Sequence, residues 1–185
     1  MKTIYIFLMF LVVVVAQIFV PAQLIFDQNK VLSKGVPYKF KTQPVDPSDP
    51  FKGKYIRLNF EANTAPSKDS TWSFGTPIYV GLGTDSLGFA KVDAISRELV
   101  EDSNFIKAKV DWYDLQDKIV HFSFPFDTFY MNETKAYDAE LAYFEAQRDS
   151  LPNNTYAVVY VLHGKAVLDN VFINHVPIAE YVKKK

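Results

Sequence analysis

No cysteine occurs in the chain. That absence removes disulfides, thiolate zinc sites and cysteine nucleophiles together. It is compatible with an oxidising compartment without assigning one. Histidine is almost as scarce, and His121, His163 and His175 lack the close pairing that metal ligands show, so each reads as a structural residue. The seven glycines stand singly, which leaves no phosphate-cradling loop and disfavours nucleotide binding. Ser-x-x-Lys and Gly-x-Ser-x-Gly are both missing, and with them two common serine-hydrolase signatures. Positive charge is not in excess either. Lys and Arg total 20 against 21 Asp and Glu, so no net field attracts a phosphate backbone, and nucleic acid is not an expected partner. No solenoid-type repeat is present. No cofactor is expected.

What is abundant is apolar and aromatic. Hydrophobic residues make up 49% of the 185, with 16 Phe and 11 Tyr, a composition that suits a strand-rich fold with an aromatic core. The length allows one domain and an appendage. The appendage is Ile4–Phe26, which carries no charge and only Gln17 and Gln23 as strongly polar residues. As a helix it reaches roughly 34 Å, enough for a hydrocarbon core of about 30 Å. Residues 1–26 therefore read as a transmembrane anchor, with the membrane engaged through residues 4–26. The alternative is a signal segment cleaved near Ala16 or Ala22, each preceded by small residues, with Lys2 as the positive n-region. Either way Lys2 stays cytoplasmic and the remainder is exported.

Residues 27–36 form a polar juxtamembrane stalk, in which the helix continues for a turn or two before Gly35 and Pro37 stop it. An exported domain then occupies 37–185. Period-two alternation predicts strands at 38–42, 54–62, 77–83, 88–96, 105–113 and 118–126, the last four making two hairpins through Thr84–Leu87 and Asp114–Asp117. Ile56, Leu58, Phe60 and Ala62 should face the core, as should Ile106, Ala108, Val110 and Trp112. Trp72 and Phe74 are expected to fold back onto the domain. Over 134–150 the period lengthens: Tyr137, Leu141 and Phe144 fall on one helical stripe, with Ala136, Ala139 and Ala142 adding helix propensity. Thr155–His163 reads as a central strand, followed by strands at 166–168 and 171–176 and a short terminal helix. The fold class is α+β: about eight to ten mainly antiparallel strands in a barrel-like or sandwich sheet, one packed helix and the N-terminal transmembrane helix.

The chain is organised around Pro44–Ala62. Asp46-Pro47 and Asp49-Pro50 make a semi-rigid loop, Gly53 permits a turn, and the strand after it presents Tyr55, Arg57, Asn59 and Glu61 opposite its core face. Tyr and Arg are types that interfaces favour, so this face is the candidate binding surface. Tyr130 and Glu133, in Phe129–Glu133, lie at a strand-to-helix junction where a helix N-terminus binds anions or orients carboxylates. If the two patches meet, they make a pocket. Asp49, Glu61 and Glu133 are the carboxylates available for acid–base work.

Gly53, Tyr55, Leu58 and Phe60 also fit a pattern. This stretch resembles the signature of the bacterial GDYXXLXY protein family, Gly-Asp-Tyr-x-x-Leu-x-Tyr, with Lys54 in place of the acidic residue and Phe60 in place of the last Tyr. The runs 45–53, 129–133, 155–161 and 164–177 resemble the family as well. The resemblance implies a small exported domain on an N-terminal helix and a multi-pass membrane protein as partner, but no activity. Residue chemistry and resemblance together favour a non-enzymatic binding or assembly module over a hydrolase or transferase using Asp49, Glu61 or Glu133. A module for a small envelope ligand such as a glycan is the third reading.

Overall fold

In the computed structural model, residues 2–43, 55–99, 104–148 and 155–183 are described. The chain opens with one unbroken helix, α1 (Lys2–Lys34), which runs through the apolar segment and the stalk and carries Pro21 inside it. Gly35 ends it, and β1 (Val36–Gln43) starts at once. Then come β2 (Tyr55–Arg57), β3 (Asn59–Phe60), a 3₁₀ turn (Glu61–Asn63), β4 (Thr64–Pro66), β5 (Pro77–Thr84) and β6 (Ala90–Ser96). They are followed by β7 (Phe105–Asp114), β8 (Ile119–Ser123), β9 (Thr128–Tyr130), α2 (Glu133–Arg148), β10 (Thr155–Leu162), β11 (Lys165–Ile173), β12 (Val176–Pro177) and α3 (Ile178–Tyr181). The α+β class with antiparallel sheets is as the sequence predicts.

Two five-stranded sheets, ordered β12-β11-β10-β1-β3 and β4-β8-β7-β5-β6, are accompanied by a two-stranded ribbon, β2-β9. The sheets touch through two isolated bridges, Lys39 to Phe89 and Ile106 to Gly164, and the whole is barrel-like and nearly closed. Turn chemistry fixes the register. His163-Gly164 and Asn174-His175 are two-residue turns in which both residues have positive φ, the geometry that matches strand twist. Inside the barrel, Phe40 meets Phe60, Phe124 and Phe126 edge-on at 5.5, 5.4 and 5.3 Å. Thr42 and Thr155 are buried there too, and satisfy each other through a 2.7 Å hydroxyl hydrogen bond.

Ile56, Leu58, Phe60 and Ala62 are all buried as expected, but not on one strand. The chain changes sheets at Leu58, whose N–H donates to the Asp127 carbonyl at 2.7 Å: β2 pairs with β9, whereas β3 pairs with β1. Trp112 departs from its predicted inward position. A bulge between Val110 and Trp112 inserts Asp111 as an extra residue, which reverses the alternation, turns Tyr113 inward and leaves Trp112 outside. There it stacks on His121 at 3.7 Å. Phe74 is exposed rather than folded back, whereas Trp72 packs on the core and carries Arg97 over its ring at 4.2 Å. Residues 166–168 and 171–176 are not two separate strands: β11 is continuous, with a register shift opposite Val158/Val159.

Helix α2 docks by a face other than the predicted one. Ala136, Ala139, Ala142, Tyr143 and Ala146 are buried, while Leu141 is exposed. Small side chains let the helix axis approach the sheets closely, and Tyr143 fills the remaining space. Glu140 lies beside this face, and burial pushes its carboxyl above the ordinary 4.5. A raised native pKa means that ionisation costs stability above the ordinary value and costs nothing below it. Glu140→Gln is therefore expected to melt higher than wild type at neutral pH. The advantage should vanish as pH falls below 4.5, which paired thermal melts across that range will read.

Candidate functional site

The ribbon β2-β9 brings together residues distant in sequence. Its register is Tyr55↔Tyr130, Ile56↔Phe129 and Arg57↔Thr128. Alternation sends Ile56 into the core with Phe129 packed against it, so the inner face anchors the ribbon. The outer face carries Tyr55, Tyr130, Arg57 and Thr128. The two tyrosine rings lie 5.9 Å apart at 58°, and Tyr130 is 73% exposed. Arg57 Nε stands 3.8 Å from Asp127 Oδ2, while the Thr128 hydroxyl donates to Asp127 Oδ1 at 2.9 Å. An exposed pair of this kind contributes only about 0–1 kcal/mol. Its effect is to orient the guanidinium beside the tyrosines.

The remaining predicted residues divide. Asn59 belongs to β3, where its amide donates to Gln43 Oε1 at 3.4 Å and its carbonyl accepts from Asn63 at 2.7 Å. Glu61 opens the 3₁₀ turn, with Lys41 at 3.7 Å. Neither shares the ribbon, because the chain has crossed to the other sheet by Leu58. Asp46, Asp49, Gly53 and Lys54 lie outside the described residues, and Glu133 is described only as the first residue of α2. Of the three carboxylates suited to acid–base work, only Glu61 is placed, on an exposed turn against a lysine. Asp127 carries no signal in the sequence, since Thr128–Tyr130 is too short for its alternation to announce a strand.

The histidines are dispersed. His121 lies under Trp112, His163 occupies a turn, and His175 Nδ1 is 3.2 Å from the Tyr156 hydroxyl. Among the described residues no group of His, Asp and Glu is placed to hold a metal ion. A cleft of ≈ 140 Å³ lies where β5 and β6 shift register, lined by Tyr79, Leu82, Asp93, Ile95 and Phe105 among others. It is well short of the roughly 300–1,000 Å³ of ordinary ligand pockets and does not include the ribbon.

A helix long and apolar enough to cross a membrane, joined to a nearly closed, mainly antiparallel barrel with an exposed Tyr/Arg ribbon, places the chain in the class of α+β proteins whose N-terminal helix fits membrane anchoring. Within that class, the chain belongs to the GDYXXLXY protein family, whose model matches residues 17–171. No curated protein and no solved structure matches it.

Proposed function

We propose that this protein is a non-enzymatic envelope module that assembles with a membrane protein partner through the 44–61 region and the strand beside it. In this reading residues 1–26 are a retained anchor, 27–36 a stalk, and 37–185 a domain on the side of the membrane opposite Lys2. The multi-pass character of the partner rests on the family resemblance. The observation that carries the binding reading is the Tyr55–Tyr130 ring pair beside Arg57 on a ribbon whose inner face is locked into the core. Exposed aromatic and guanidinium groups on a rigid support lose little conformational entropy when covered, and these residue types dominate binding hot spots.

Tyr55→Ala combined with Arg57→Ala in the full chain tests it. Partner co-purification from native membranes should be lost, with stability kept within about 1 kcal/mol of wild type, as for a surface site. Undiminished co-purification from that variant would sink the proposal. Crosslinking in native membranes from position 130 supplies the partner's identity.

A further inference from the structure

We infer that the β10–β11 turn, with Lys30 and Lys34 of α1, is a contact surface for anionic lipid headgroups, and that it holds the domain upright on the bilayer. The inference rests on α1 spanning the membrane, and three features of its last turns lead there. First, α1 is docked. Val31 is 1% exposed, the Gly35 N–H donates to the Val31 carbonyl at 2.8 Å, and Val36 pairs with Val161. Second, the direction of the helix is set. Asp27, four residues before Val31, meets Lys165 at 2.6 Å, and Lys165 lies across the turn from Leu162. Moving back along the helix is thus moving toward the β10–β11 turn and past it, into the exposed apolar stretch Ile4–Phe26. Phe26 adjoins Asp27, so if Ile4–Phe26 fills the hydrocarbon core, Lys165 is held at the level of the headgroups.

Third, lysines outnumber carboxylates there. Lys30, Lys34, Lys165 and exposed Lys107, whose backbone N–H reaches the Gly164 carbonyl at 3.4 Å, gather at this end of a chain whose net charge is −1. Asp27 and Lys165 neutralise each other, β10 carries no carboxylate, β11 carries only Asp169, four residues past Lys165, and Asp93 on β6 is paired with Lys91 at 3.1 Å, which leaves Lys30, Lys34 and Lys107 as the excess charge. Lysines at this depth attract anionic lipids and lose that attraction with salt. The consequence for binding is geometric. The ribbon β2-β9 follows the far end of β1, eight residues from Gly35, roughly 25 Å as extended strand. A partner reaching it must do so with a part that stands clear of the membrane.

Because the chain lacks cysteine, single labels are clean. His163→Cys and Asn174→Cys occupy the first position of the two matching turns, with φ of 47° and 50°, at opposite ends of β10–β11. Each full-length variant, labelled with a fluorophore, is inserted into vesicles of zwitterionic lipid with or without anionic lipid, carrying a headgroup-level quencher. Strong quenching at 163, background quenching at 174, and loss of the anionic enhancement when Lys30, Lys34 and Lys165 are changed to Gln are expected. Vesicle flotation without quenching at 163 overturns the headgroup contact alone. Failure to float with the vesicles overturns the spanning helix, and the contact with it.

Discussion

Phe40→Ala is expected to destabilise the domain by about 3–5 kcal/mol, the range for emptying a buried phenylalanine site. Phe40 has no exposed surface and is the ring that Phe60, Phe124 and Phe126 all meet edge-on. Those partners come from β3 and from the segment after β8, so the lost contacts join separate parts of the fold rather than one hairpin. Each aromatic pair contributes about 0.5–1.5 kcal/mol beyond the area it buries. Against a total stability of about 5–15 kcal/mol, this loss lowers the melting midpoint by roughly 6–20 °C, or unfolds the domain at room temperature. Phe74→Ala is the companion measurement. Phe74 is 84% exposed, and its removal should fall within about 0.5 kcal/mol of wild type. Equal melting of the two variants would mean that the Phe40 cluster is not the centre of the core.

Phe40, Ile56, Leu58 and Phe60 were legible in the sequence for a simple reason. Alternation depends only on which side of a strand is wet, and it survives when the strand's partner changes. The switch of partner at Leu58 was not legible. It depends on β9, whose three residues carry too little pattern to be seen. Trp112 shows the converse failure, because one extra residue at Asp111 inverts the phase, and no residue type at that point marks a bulge. In α2 the sequence offered two stripes at helical spacing, and the larger side chains of Leu141 and Phe144 favoured the wrong one. Close packing selected the alanines. The same limits govern the candidate site. The outward character of Tyr55 and Arg57 followed from periodicity, and Tyr130 from its place before a helix, but their meeting rests on a long-range strand pairing. Asn59 and Glu61 share the predicted face, yet the switch of sheet at Leu58 sets them apart from the ribbon, and they meet Gln43 and Asn63 in one case and Lys41 in the other.

The junction of helix and barrel yields the second large effect. Gly35→Ala is expected to cost about 1–3 kcal/mol or more, the range for overpacking a closed site. A methyl group on Gly35 would stand 2.5 Å from the Val31 carbonyl oxygen, 3.0 Å from the Val161 carbonyl oxygen and 3.2 Å from the Val161 nitrogen. All three are backbone atoms and none can rotate away. Relief requires the Gly35–Val31 hydrogen bond that closes α1 to open and the last turn of the helix to lift from Val161 of β10, which exposes Val31 and pulls Asp27 from Lys165. Gly75→Ala calibrates the result: Gly75 has φ of 78° but nothing within 4 Å of an added Cβ, so only its backbone preference is charged, about 1 kcal/mol. If lifting occurs, Gly35→Ala lowers the melting midpoint and also accelerates amide exchange at Val161 and Leu162, whereas Gly75→Ala leaves exchange there unchanged. A Gly35→Ala variant with wild-type exchange at those amides would show that α1 and the barrel are not packed as one body. Under the proposed function, that packing sets the height and direction of the Tyr55–Tyr130 face relative to the membrane, and loosening it should weaken partner binding even though the face itself is untouched.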